Sequence, residues 1–145
     1  ALASSNRNKN IAGLVMIDLD GFKPVNDTLG HDMGDKILCE IADRLTNLLR
    51  KADTIARVGG DEFAVTLENV ASPPGIDIVA QRIVDEIGKP YDILPKGMQV
   101  TASVGVAMYP DHTRDDNQLR VFADRAMYAA KKGHDCYKIY SPDMQ

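Results

Sequence analysis

Ile11 to Asp18 (IAGLVMID) is a near-continuous apolar run that ends in an acid. Such a run reads as a central strand buried on both faces, so the other elements must be arranged to cover it. It also delivers a carboxylate, Asp18, where the strand leaves the core. Gly21 to Gly34 is rich in Gly, Asn and Asp and reads as a loop with one helical turn. From Asp35 to Arg50, apolar residues recur at Ile37, Leu38, Ile41, Leu45, Leu48 and Leu49, a helical stripe with Asp35 in its first turn.

Ile55–Val58 and Phe63–Leu67 are short apolar runs joined by Gly59, Gly60, Asp61 and Glu62, a β-hairpin pattern. After Pro73-Pro74-Gly75, the residues Ile76, Val79, Ile83 and Ile87 mark a second helix that stops at Gly88. Val100 to Met108 alternates as a half-buried strand. A third helix runs from Asp116 to Lys132, and Tyr137–Tyr140 forms a last strand. The order predicts one α+β domain with a ferredoxin-like or palm-type core, a mainly antiparallel five-stranded sheet with flanking helices. The ferredoxin-like pattern places those helices on one face.

The length of 145 residues is enough for one domain with a genuine core, and the 44% apolar content excludes disorder. No apolar run approaches the roughly 18 residues of a membrane span, and the polar opening ALASSNRNKN is no secretory signal. With Lys+Arg 17 against Asp+Glu 21 the net charge is −4, which disfavours a nucleic acid polymer or an anionic lipid surface as partner. Bound phosphate must therefore be held by metal ions or local basic groups. Cys39 reads as a small core residue and Cys136 as a free thiol. Two distant cysteines form no disulfide framework and fit a reducing cytosol, and the three histidines show no zinc spacing.

The hairpin RVGGDEF sets Asp61 and Glu62 side by side at a tight turn. Taken alone, that is a solvated turn with glycines for backbone freedom. Asp18 and Asp20 change the weighting, because the apolar strand would lie beside the hairpin. Carboxylates gathered in this way repel and raise one another's pKa unless a cation joins them. A small set of hard oxygen ligands suits Mg²⁺, which keeps further positions for water and phosphate.

DLDGFKPVNDTLGHDMGD (Asp18–Asp35), RVGGDEF (Arg57–Phe63), ASVGVAMYP (Ala102–Pro110) and ADRAMYAAK (Ala123–Lys131) together resemble the GGDEF domain of bacterial diguanylate cyclases in order and spacing, from about Ile11 to Tyr140. The resemblance implies a nucleotidyl-cyclase-like fold and condensation of two GTP into cyclic di-GMP with release of two pyrophosphates. It implies a homodimer with one GTP per protomer and two Mg²⁺ or Mn²⁺ ions per active site, in the bacterial cytoplasm, whether the parent protein is soluble or membrane-tethered. Asp18, Asp61 and Glu62 would be metal ligands through their side chains and Leu19 through its carbonyl. Asp61, with Glu62 beside it, would be the catalytic proton acceptor. Asn26 and Asp35 match the guanine-binding positions. Phe22, Lys23 and His31 match the phosphate-side loop, with Phe22 weighted toward the core and Asp35 also explicable as a helix N-terminal acid. Gly59 and Gly60 would let the backbone approach the α-phosphate.

Arg50-Lys51-Ala52-Asp53 matches the family's RxxD inhibitory product site, with Arg82 as a secondary arginine; its plainer reading is a surface ion pair at a helix end. Where the family usually continues AKxxGRN, this chain reads AKKGHDC, one residue shorter, with His134 near the arginine's place and Lys131 kept as a phosphate contact. The family's opening LTGLPNR-like segment is absent, which implies a piece of a longer protein with flanking sensory or phosphodiesterase domains. The intact acids favour a cyclase. The short segment favours the alternative, a catalytically quiet module that binds GTP or cyclic di-GMP and regulates a neighbouring domain. A palm-type polymerase or adenylate cyclase shares the architecture but would not require these guanine-binding residues.

Overall fold

The computed structural model describes residues 11–144; the polar opening segment, read above as no secretory signal, lies outside them. The elements are β1 (Ile11–Asp20), α1 (Phe22–Leu29), α2 (His31–Leu48), β2 (Thr54–Arg57), β3 (Glu62–Val70), α3 (Pro73–Ile87), β4 (Thr101–Tyr109), α4 (Asp116–Lys131) and β5 (Cys136–Ile139). They form one five-stranded sheet in the order β2-β3-β1-β4-β5, antiparallel except for the β4–β5 pair. The apolar run of β1 is the middle strand, and Asp18 lies directly opposite Glu62 of β3.

Alternation along β1 divides its side chains between two cores. Val15, Ile17 and Leu19 pack with Phe22 and Val25 of α1, the Ile37, Leu38, Ile41 and Leu45 stripe of α2, and Ile76, Ile83 and Ile87 of α3. Ala12 and Met16 pack on the opposite face against Leu119, Ala123, Ala126 and Met127 of α4. Helices therefore cover both faces, not the single face of the ferredoxin-like pattern. The cause lies in β4, whose Ser103, Gly105 and Ala107 present small side chains to α4. A Cβ on Gly105 would stand 2.0 Å from the Met127 nitrogen and 2.4 Å from the Ala123 carbonyl oxygen, so the α4 backbone rests directly on the strand. β4 is accordingly buried on both faces along nearly its whole length, where half-burial was expected. None of the described helices is long and apolar enough to cross a membrane.

Three local expectations are corrected. The segment after β1 is a full helix, α1, followed by an α2 that starts at His31. Asp32, not Asp35, is therefore the acid of the first turn of α2. Gly21 makes the strand-to-helix corner with φ of 80°, and a Cβ there would meet the Gln99 carbonyl oxygen at 2.6 Å. Cys39 is exposed: it follows the buried Leu38 by one position, about 100° further round the helix and off the apolar stripe.

Candidate active site

Two clefts meet at the end of β1. The first, of about 550 Å³, is lined by Asp18, Leu19, Lys23, Asp61, Glu62 and Lys131, together with Arg120, Asp124, Met127 and Tyr128 of α4. The second, of about 360 Å³, is lined by Phe22, Lys23, Asn26, His31, Asp35, Leu38, Arg57, Gly60 and Asp61. Lys23 and Asp61 belong to both. The residues assigned to the metal, with Lys131, thus gather in the first cleft, and Asn26 and Asp35, assigned to the base, in the second; of the residues assigned to phosphate, Phe22, His31 and Gly60 line the second cleft and Lys23 lines both. Gly59 lines neither, and Phe22 is 4% exposed, a core residue that forms part of a wall.

The hairpin is tied down at each end. The Leu19 N–H donates to the Asp61 carbonyl at 3.1 Å, and the Val58 N–H to the Glu62 carbonyl at 3.0 Å. The Arg57 guanidinium donates to the carbonyls of Gly59 (3.1 Å) and Gly60 (3.0 Å). Gly60 needs neither positive φ nor empty space for its own fold, since a Cβ there would meet nothing within 4 Å. The open backbone face is free for a ligand. Asn26 is held where Gly34 leaves room, because a Cβ at 34 would overlap the Asn26 Oδ1 at 1.8 Å. That Oδ1 is buried without a partner.

The electrostatics are those of crowded acids. Burial pushes the Asp18 carboxyl up, more than Lys131 pulls it down, and the Asp61 and Asp20 charges add to the rise. Glu62 is also raised, by burial first and then by Asp18, Asp124 and Asp61, with Arg120 opposing. The cation that joins Asp18 and Asp20 is a side chain. Lys131 Nζ lies 3.1 Å from Asp18 Oδ2, 2.9 Å from Asp20 Oδ1 and 3.3 Å from the Leu19 carbonyl oxygen. Among the described residues no three His, Cys, Asp or Glu side chains converge as a ready metal cluster. The donor set still fits a hard divalent ion, since two of the oxygens assigned to the metal, on Asp18 and Leu19, already face a cation.

Asp20 has a separate role. It is 7% exposed and accepts from Ser103 Oγ at 2.8 Å, Thr101 Oγ1 at 3.1 Å and the Asp135 N–H at 3.1 Å, with His134 Nδ1 at 3.0 Å. His134 and Asp135 have φ of 59° and 49°, a left-handed pair that costs roughly 1–2 kcal/mol per residue. The bonds to Asp20 help offset that cost. His134 therefore turns back onto Asp20 and lines neither cleft.

Arg50 and Asp53 share a distant cleft of about 260 Å³. Arg50 grips Asp53 through Nε (3.1 Å) and Nη2 (2.8 Å), and also donates to the Glu68 carbonyl at 2.6 Å. Arg82 is not among the residues lining that cleft. Arg57, Arg120, Asp124 and Tyr128 were not singled out from the sequence as site residues. The i, i+4, i+8 spacing of the last three on one helix was the available signal.

A family model described as "Diguanylate cyclase, GGDEF domain" matches residues 1–135. The chain is 38% identical over 145 residues to the bifunctional diguanylate cyclase/cyclic di-GMP phosphodiesterase MucR of Pseudomonas aeruginosa, covering 99% of this chain and 21% of MucR. It is 35% identical over 143 residues to the cyclic di-GMP phosphodiesterase PdeR of Escherichia coli, covering 98% of this chain and 22% of PdeR. The chain thus spans about a fifth of the length of these two relatives. The crystal structure of the GGDEF domain of TpbB from P. aeruginosa superposes with a TM-score of 0.89 at 34% identity, covering 98% of this chain and 89% of that one.

Proposed function

This chain belongs to the diguanylate cyclase GGDEF domain family, and on that footing we propose that it condenses two GTP into cyclic di-GMP as one half of a homodimer, releasing two pyrophosphates. The observation that carries the reading is the meeting of two clefts at Asp61, one lined by acids and lysines and the other by Asn26, His31, Asp35 and Gly60.

In the second cleft Asp35 accepts from the guanine N1–H and 2-amino groups and Asn26 supplies a further polar contact, a match that adenine cannot make. Lys23 and Lys131 hold the triphosphate, and the open Gly60 backbone allows close approach to the α-phosphate. Asp18, Asp61, Glu62 and the Leu19 carbonyl would hold Mg²⁺ or Mn²⁺, which would neutralise the acids and polarise phosphate oxygens. Asp61 takes the proton of the 3′-hydroxyl as that oxygen bonds to the α-phosphorus of the GTP held by the partner protomer. The bond from that phosphorus to the β-phosphate bridge breaks, and pyrophosphate leaves.

A second reading, a domain that binds GTP or cyclic di-GMP without cyclising it and regulates a neighbouring domain, draws on His134, which is spent on Asp20 rather than on the cleft. Incubation of the full-length parent protein, or of this chain fused to a strong dimerisation module, with GTP and Mg²⁺ separates the two. Cyclic di-GMP and pyrophosphate in a one-to-two ratio support the cyclase, and GTP binding without either product supports the regulatory module.

A further inference from the structure

Resting on the metal-site reading above, we infer that Lys131 is a built-in counter-cation competing with the divalent ion for Asp18 and Leu19, with Asp20 as the positioning residue that retains it when it is displaced. The lysine ammonium touches three oxygens at once: Asp18 Oδ2 at 3.1 Å, the Leu19 carbonyl at 3.3 Å and Asp20 Oδ1 at 2.9 Å. Two of these are oxygens assigned to the metal, and the third is not. A divalent ion and an ammonium repel each other at this range, so an ion that takes Asp18 Oδ2 and the Leu19 carbonyl drives the lysine off them.

It does not have to leave the site. Asp20 is fixed from four other directions, by Ser103, Thr101, the Asp135 N–H and His134, so its carboxylate stays in place whichever cation occupies the neighbouring oxygens. Held there alone, the ammonium has donors to spare for a phosphate oxygen. Without metal, the same lysine relieves the repulsion among Asp18, Asp61 and Glu62. It thereby lowers the affinity of the empty site for a cation.

The test is calorimetric titration of Mn²⁺ into the nucleotide-free protein. Asp18→Asn abolishes binding. Lys131→Met tightens it about fivefold, the release of one partly exposed ion pair. Lys23→Met is the control for general charge, because Lys23 lines the same cleft and bonds to none of these oxygens; it changes affinity by no more than about twofold. An equal effect of the two lysine variants, or none from Lys131→Met, overturns the competition and leaves the metal site standing. No Mn²⁺ binding by wild type, or binding indifferent to Asp18→Asn, sinks the metal site and the competition together. Should Lys131→Met not fold, the wild-type Lys131 ammonium resonance gives the answer by NMR. It shifts during a Mg²⁺ titration with the calorimetric midpoint, and a resonance unmoved at saturation overturns the proposal.

Discussion

Asp18 and Asp20 stand two residues apart on one face of one strand and behave oppositely. Burial pushes the Asp20 carboxyl up, but the Asp135 N–H, His134, Lys131 and Ser103 outweigh it and hold the pKa at about 2, against an ordinary 3.8. A carboxyl lowered by that much stabilises the fold by about 2 kcal/mol. The contribution is complete above the unfolded-state value and is lost as the pH falls from about 4 toward 2. Asp20→Asn should therefore cost about 2 kcal/mol at neutral pH and flatten the acid limb of the stability curve. Urea unfolding from pH 2 to 7 measures both, and an unchanged acid limb would show that Asp20 is not the group responsible. Asp18 and Glu62 shift upward instead, so the fold gains nothing from their charge. Asp61→Ala with Glu62→Ala should abolish cyclic di-GMP formation while the thermal midpoint stays at or above the wild-type value. A variant that unfolds at ordinary temperature, or that turns over normally, would contradict the ligand assignment.

At the scale of elements, α4 was placed correctly along the chain and wrongly in space. Its apolar spacing gave the span Asp116–Lys131 to within a residue, but periodicity within a helix says nothing of which sheet face it covers. The clue was in β4, where Thr101, Ser103, Gly105 and Ala107 form one small-residue face that only a closely approaching backbone makes sense of. Gly105→Ala should consequently destabilise by about 3 kcal/mol, and in the surviving folded fraction move Lys131 off Asp18. Denaturant unfolding reads the first and Mn²⁺ affinity the second; a wild-type stability would mean that α4 does not lie on the strand as described. The hairpin and β1 were readable because carboxylates at a Gly-rich turn beside a buried strand leave little choice of placement. The Asp20 cluster was not, since its partners Ser103, Asp135 and Lys131 lie more than 80 residues away in sequence. Arg50 shows a related limit. The predicted ion pair with Asp53 exists, and the Asp53 side chain is 2% exposed, so Arg50→Ala leaves a buried acid without its counter-charge and with the residue-50 backbone N–H still donating to it at 3.0 Å. It should lower stability by about 1–3 kcal/mol, besides weakening cyclic di-GMP binding about 5- to 150-fold if the fork reads guanine. Calorimetry of the folded variant with wild-type affinity for cyclic di-GMP would reduce the RxxD to its structural pair.

For the whole molecule, the decisive quantity is how many reacting groups one chain can present. Among the described residues the acid-lined cleft and its neighbour meet at one Asp61; on the proposed reaction that pair would hold one GTP, whereas cyclisation needs two 3′-hydroxyls and two α-phosphates facing each other. Turnover must then wait on encounter of two chains. Little on the described surface drives that encounter: the large exposed apolar residues Val58, Ile78, Ile93, Val121 and Tyr128 are dispersed over the hairpin, α3, the loop before β4 and α4. The net charge of −4 adds mutual repulsion. The 145-residue chain alone should therefore sediment as a monomer at micromolar concentration without nucleotide. Its specific activity should be low and rise in proportion to protein concentration, because the proposed active species is a pair of chains. Fusing it to a strong dimerisation module should raise the rate and abolish that dependence. Sedimentation velocity with rate measurements over a hundredfold range of about micromolar concentrations checks both halves. A tight dimer without GTP, or a specific activity independent of concentration, would mean that a single chain already carries the complete site or that its surface holds an association interface beyond these scattered residues.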